Sequence, residues 1–146
     1  MDINKIFGLF ETPEGKGGDT IQDDYNKVIE NYKNHPLYWV GMVKKIIHNH
    51  TLFNDRLLDF FSNLDEGLDR IDIDRASEYV VFNRAWSYIE KIDPTNKIHQ
   101  EALFHFSDIH LKVALELLLN YFQEQEEYEK CVHLKNNLNF IKLLLT

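Results

Sequence analysis

The chain has 146 residues, 44% of them hydrophobic and 13% aromatic, which is enough apolar side chain to bury a core without metals or disulfides. Its single cysteine, Cys131, excludes an intramolecular disulfide framework and a cysteine-based zinc cluster, and it suits a reducing compartment, so a cytoplasmic location is expected. The formal net charge of −8 opposes attachment to nucleic-acid phosphates, whose affinity for proteins comes mainly from clustered Lys and Arg, and direct nucleic-acid binding is not expected.

The first residues, Met1 to Gly8, carry no basic region with a long apolar stretch behind it. No later run approaches the roughly 18 apolar residues of a membrane span, so neither secretion nor membrane insertion is expected. Ile3, Ile6, Phe7 and Phe10 fall at i, i+3, i+4 and i+7 and predict a short amphipathic segment over residues 1–10. Residues 11–20 hold Pro13, Gly15, Gly17 and Gly18 and read as a flexible linker, which leaves 21–146 as the helical domain. Thr20 with Asp23 resembles a capping box, and Ile21, Tyr25, Val28, Ile29 and Tyr32 continue at helical spacing up to His35-Pro36.

Pro36 suits the first turn of a second helix, which Leu37, Val40, Val43, Ile46 and Ile47 carry to about His50. Thr51 and Asn54 offer caps for a third, with Leu57, Leu58, Phe60, Phe61 and Leu64 as its apolar set. Asp72 or Asp74 can cap a fourth, containing Ala76, Tyr79, Val80, Phe82, Ala85, Trp86 and Ile89, which stops at Asp93-Pro94. From Asn96 a long helix is predicted through Ala102, Phe106, Ile109, Val113, Leu117 and Tyr121. A last helix holds Tyr128, Val132, Leu134, Leu138, Ile141 and Leu145. The short polar joint at 123–127 makes these two antiparallel neighbours over about 98–145. The expected fold is therefore an all-α, single-domain bundle of five to six helices with a long C-terminal antiparallel hairpin.

Within that hairpin the run Tyr128-Glu129-Lys130-Cys131-Val132-His133-Leu134-Lys135-Asn136-Asn137-Leu138 resembles the second helix of the UVR motif, an interaction hairpin of nucleotide-excision-repair proteins and some Clp protease adaptors. Tyr128 takes the aromatic place, Glu129 the acid, Cys131 and Val132 the small pair, Leu134 the leucine, Lys135 the basic position and Leu138 the aliphatic. Cys131-Val132 stands where that motif has two alanines, Asn136 where an aspartate is common, and the preceding helix is longer. The resemblance covers about residues 110–140. A tetratricopeptide-like hairpin also places a tyrosine shortly before a small residue. Either likeness implies a protein-binding module.

Chemistry-bearing patterns are few. Gly15-Lys16-Gly17-Gly18-Asp19-Thr20 lacks the preceding strand and the Gly-Lys-Ser/Thr order of a phosphate loop, and its acids repel phosphate. His48-Asn49-His50 is expected in the last turn of the second helix, where a cation interacts well with the helix dipole. Glu101, His105 and Asp108 lie at i, i+4 and i+7, so one helical face would present two carboxylates and an imidazole as metal ligands. Asp69, Asp72 and Asp74 do not follow the order of a calcium loop. Cys131 reads as a packing residue.

These features predict a non-enzymatic interaction module, an adaptor or subunit that binds another protein through an acidic helical surface and the C-terminal hairpin, with no cofactor. Its expected contacts are Tyr128, Glu129, Lys135, Asp69 and Asp72. The apolar Ile6, Phe7, Leu9 and Phe10 would act as a tethered anchor on the linker, similar to sliding-clamp-binding peptides but without their glutamine. A second copy of the chain is the other expected partner, giving a homodimer. One alternative is a phage-encoded inhibitor, immunity protein or antitoxin whose carboxylates neutralise a basic protein. A second is a metal-binding helical enzyme built on Glu101, His105 and Asp108.

Overall fold

The computed structural model describes residues 18–64 and 69–146, and every regular element among them is an α-helix. The chain divides at His35–Pro36 into two compact units. In the first, described from Gly18, the regular element is α1 (Gly18–Lys33). It closes with Asn34 N–H donating to Glu30 O at 3.1 Å and His35 N–H to Tyr32 O at 3.0 Å. The helix cannot run through to Pro36, because the residue before proline is pushed out of the α region. Residues 18–20, expected as the end of the linker, are helical, and Thr20 lies inside α1 rather than capping it. The rest of the expected linker, 11–17, and the segment 1–10 lie outside the described residues.

The second unit comprises α2 (Pro36–Leu64), α3 (Arg70–Ile89), α4 (Lys97–Phe106), α5 (Ile109–Glu124) and α6 (Tyr128–Leu144). α2 packs on α3, α4 and α5, and α5 forms an antiparallel pair with α6. Val40, Val43 and Ile47 of α2 join Phe82, Ala85 and Ile89 of α3, Leu103 of α4, Leu111, Leu115, Leu118 and Phe122 of α5, and Leu134 and Ile141 of α6 in one core. Each set recurs at three- to four-residue spacing, so every helix turns a single stripe inward. The Phe82 ring stacks on Tyr121 at 4.7 Å, and Trp86 meets Phe122 edge-on at 5.7 Å. No described helix is long and apolar enough to cross a membrane.

Three boundaries differ from the sequence expectation, each for a local reason. The second and third predicted helices are one 29-residue helix, α2. Thr51 Oγ1 donates back to Ile47 O at 2.7 Å and Asn54 Nδ2 to Asp74 Oδ1 at 2.9 Å, so neither residue caps. His48 and His50 therefore sit mid-helix and not in a last turn. At α3 the cap is Asp69, whose Oδ1 accepts from Ile71 N–H at 2.9 Å, and not Asp72 or Asp74; the helix ends at Ile89, short of Asp93-Pro94.

The predicted long helix from Asn96 is broken into α4 and α5. Ser107 Oγ donates to Phe104 O at 2.7 Å to close α4, and Asp108 Oδ1 accepts from Leu111 N–H at 2.9 Å to open α5. The C-terminal hairpin is thus α5–α6, over 109–144. Its turn is a Schellman arrangement: Glu127 N–H donates to Phe122 O at 2.9 Å and Glu126 N–H to Gln123 O at 3.1 Å, with Glu126 at φ 60°.

α2 is about 43 Å long at 1.5 Å per residue, far longer than the 16-residue α5 beside it. Its first half lies in the core. Beyond Ile47 only Leu58 is buried, and Leu58 is not part of the main core. Residues 52–64 of α2 and the start of α3 thus form a two-helix arm.

Candidate functional site

Two helices packed side by side can bury only the seam between them. On the arm that seam takes Leu58 and the half-buried Asn54 and Ser62. A second stripe on α2 is left over: Phe53 (46% exposed), Leu57 (50%), Phe60 (57%) and Leu64 (64%), at i, i+4, i+7 and i+11. Phe61 and Leu52 of α2 and Ile71, Tyr79 and Val80 of α3 are exposed as well. The set predicted as the core of a third helix is therefore, apart from Leu58, on the surface. Such a concentration of large apolar side chains far exceeds the scattered single residues of an ordinary surface.

Toward the body of the unit the stripe runs into a groove between α2 and α3 of about 450 Å³, with Met42, Ile46, Phe53 and Leu57 on one wall and Val81 on the other. Lys45, Asn49 and His50 of α2 and Ser77 and Arg84 of α3 complete it, and no carboxylate lines it. His50 is half-buried with its ring edge-on to Phe82 at 5.7 Å. Burial lowers the pKa of its imidazole, against the pull of the Asp74 carboxylate, so at neutral pH it is the neutral form. Asp74 itself is engaged by Asn54.

The first half of α2 is basic, whereas residues 55–84 hold eight Asp and Glu against four Arg. Between Glu30 and Asp55 the sequence has no acidic residue, and all four arginines of the chain, Arg56, Arg70, Arg75 and Arg84, fall within residues 56–84. Beside the groove, Lys44 pairs with Asp108, and His48 and His110 stand edge-to-face at 5.0 Å. Burial acts to raise the Asp108 carboxyl, but the hydrogen bonds from Lys44 and Leu111 N–H and the charges of Lys44 and His110 outweigh it and hold it below the usual carboxylate range. Gly41 lets the Phe106 ring approach the α2 backbone, where a Cβ would stand 3.0 Å from Cζ.

The residues singled out in the sequence are dispersed. Glu101 and His105 are exposed on α4, whereas Asp108 sits beyond the helix break and is bound to Lys44, so the face expected to present all three does not form. Among the described residues no three His, Cys, Asp or Glu side chains are grouped to hold a metal. Asp69 is the α3 cap and Asp72 lies exposed in its first turn. On α6, Leu134 and Leu138 enter the core, Cys131 Sγ lies 3.9 Å from Leu119 O of α5, and Tyr128, Glu129, Val132 and Lys135 are exposed. Burial and the Glu127 charge raise the Cys131 thiol above its ordinary value, which makes it a poor nucleophile. Ile6, Phe7, Leu9 and Phe10 lie outside the described residues.

Phe53, Leu57, Val81, Lys45 and Arg84 were not singled out as a site. Their signal was the acid-free stretch before Asp55 and the confinement of arginine to one hairpin. Compared with known proteins, the chain matches no family model, no curated protein sequence and no solved structure.

Proposed function

We propose that this protein is a non-enzymatic protein-binding module, an adaptor or subunit of a larger complex, whose partner docks on the α2–α3 arm. The stripe Phe53, Leu57, Phe60 and Leu64 carries this reading, because a helix that exposes four large apolar side chains in register is completed by an apolar face supplied from outside. Compared with the sequence expectation, the contact surface moves from the acidic clusters and the C-terminal hairpin to the arm. The α6 face with Tyr128, Val132 and Lys135 stays as the competing surface, since it is exposed and carries the UVR-like residues.

Affinity capture from the native host, quantified by mass spectrometry, tests the proposal with three full-length baits. The wild type and a Tyr128→Ala/Val132→Ala variant are expected to retain the same partner. A Leu57→Asn/Phe60→Asn variant is expected to lose it while keeping the wild-type circular-dichroism spectrum. Retention by the arm variant, or loss confined to the α6 variant, would overturn the assignment.

A further inference from the structure

We infer that the ligand of the α2–α3 groove is an amphipathic helix whose apolar stripe is flanked by carboxylates, with Lys45 and Arg84 as the groups that receive them. This rests on the arm being the docking surface and adds the chemistry of what docks. A groove between two helices, with Met42, Ile46, Phe53 and Leu57 on one wall and Val81 on the other, is the kind of apolar seam into which a third helix packs, ridge into groove. The charges then choose among helices. Lys45 comes from α2 and Arg84 from α3, both line the groove, and neither is in an ion pair among the described residues.

Distance decides which charges count. The molecule as a whole is acidic at −8, which by itself would favour a basic ligand. At physiological salt, however, charges further away than about 8 Å are largely screened. Inside the groove the local balance is two permanent cations, one neutral imidazole and no lining carboxylate. Asp74 at the seam, whose charge acts on His50, accepts a hydrogen bond from Asn54 and keeps its negative charge, so it offsets one of the two cations and leaves the local balance net positive. A ligand with Lys or Arg beside its apolar stripe would meet like charge at both walls, whereas Asp or Glu would be paired on both.

A library of helical peptides with randomised flanks around a fixed apolar stripe, sorted on the immobilised full chain, tests the inference. Enriched peptides are expected to carry Asp and Glu at the flanks. Their affinity should fall by at least about tenfold for the Lys45→Glu/Arg84→Glu variant, with peptides bearing basic flanks gaining in their place. Leu57→Asn should abolish both. If peptides are enriched and lost on Leu57→Asn but show no acidic bias, the charge assignment fails while the docking surface stands. If enrichment survives Leu57→Asn, or if none occurs and the chain is monomeric, both fail. A dimer by sedimentation velocity that Leu57→Asn dissociates, with no peptide enriched, overturns the inference in favour of a second copy. Preferential capture of single-stranded DNA by the same cations overturns it in favour of nucleic acid.

Discussion

Among the described residues, Asn137 is the one fully buried polar side chain. Its Nδ2 donates to His133 O at 3.1 Å and reaches Ile92 O at 3.5 Å, so it ties α6 to the turn that follows α3, while its Oδ1 meets no donor among the described residues. Asn137→Asp would place a carboxylate against the His133 and Ile92 carbonyls, with only the His133 imidazole, at 3.3 Å, within reach. The expected cost is on the order of 3 kcal/mol, read as a lower urea midpoint at unchanged slope. His50 gives a pH dependence of opposite chemistry. Burial holds its folded pKa below the ordinary imidazole value of 6.5, so the unfolded chain takes up the proton first. Stability is full above 6.5 and falls as the pH drops through the folded value. Denaturation midpoints followed downward from neutral pH should show this slope, and His50→Gln should flatten it.

Among the elements, the α5–α6 turn makes the sharpest case. A Schellman turn wants glycine at the left-handed position, and Glu126 occupies it at φ 60°. Glu126→Gly should therefore stabilise the fold by about 1 kcal/mol, against the usual trend for glycine substitutions, and thermal unfolding checks it. The same residue shows why some boundaries were legible and others not. The hairpin joint was read correctly from its polarity alone, although no glycine marks it. Helix type and inward stripes were legible because Val40, Val43 and Ile47, or Leu134, Leu138 and Ile141, repeat at helical spacing. The α4–α5 break was not, since Phe106, Ile109 and Val113 keep that spacing across Ser107-Asp108 and only the side-chain hydrogen bonds reveal the stop. The converse error at Thr51 and Asn54 arose because cap-capable residues also bond backward or across a seam. The site was least legible. Leu57, Phe60 and Leu64 have the same periodicity whether they face a core or open solvent, and periodicity does not say which neighbour is present.

For the molecule, charge distribution matters more than charge. A net −8 coexists with an acid-free stretch from 31 to 54 and with arginines confined to 56–84, so the chain is acidic at long range and basic along one groove. For the acidic ligand proposed, such an arrangement would slow the approach and favour retention once seated. Added salt should therefore weaken long-range repulsion and rim pairing together, leaving a shallower salt dependence of affinity than the groove cations alone would produce.

One rod serves two masters in this fold, for α2 is clamped at its first half by three helices and supported in its second by one. Amide hydrogens along it should then exchange with deuterium at graded rates, slowest near Val40–Ile47 and quickest toward Leu64. Occupancy of the arm would steepen protection at the far end first, and because the backbone is continuous, the tightening would be felt as far as the histidines at its midpoint.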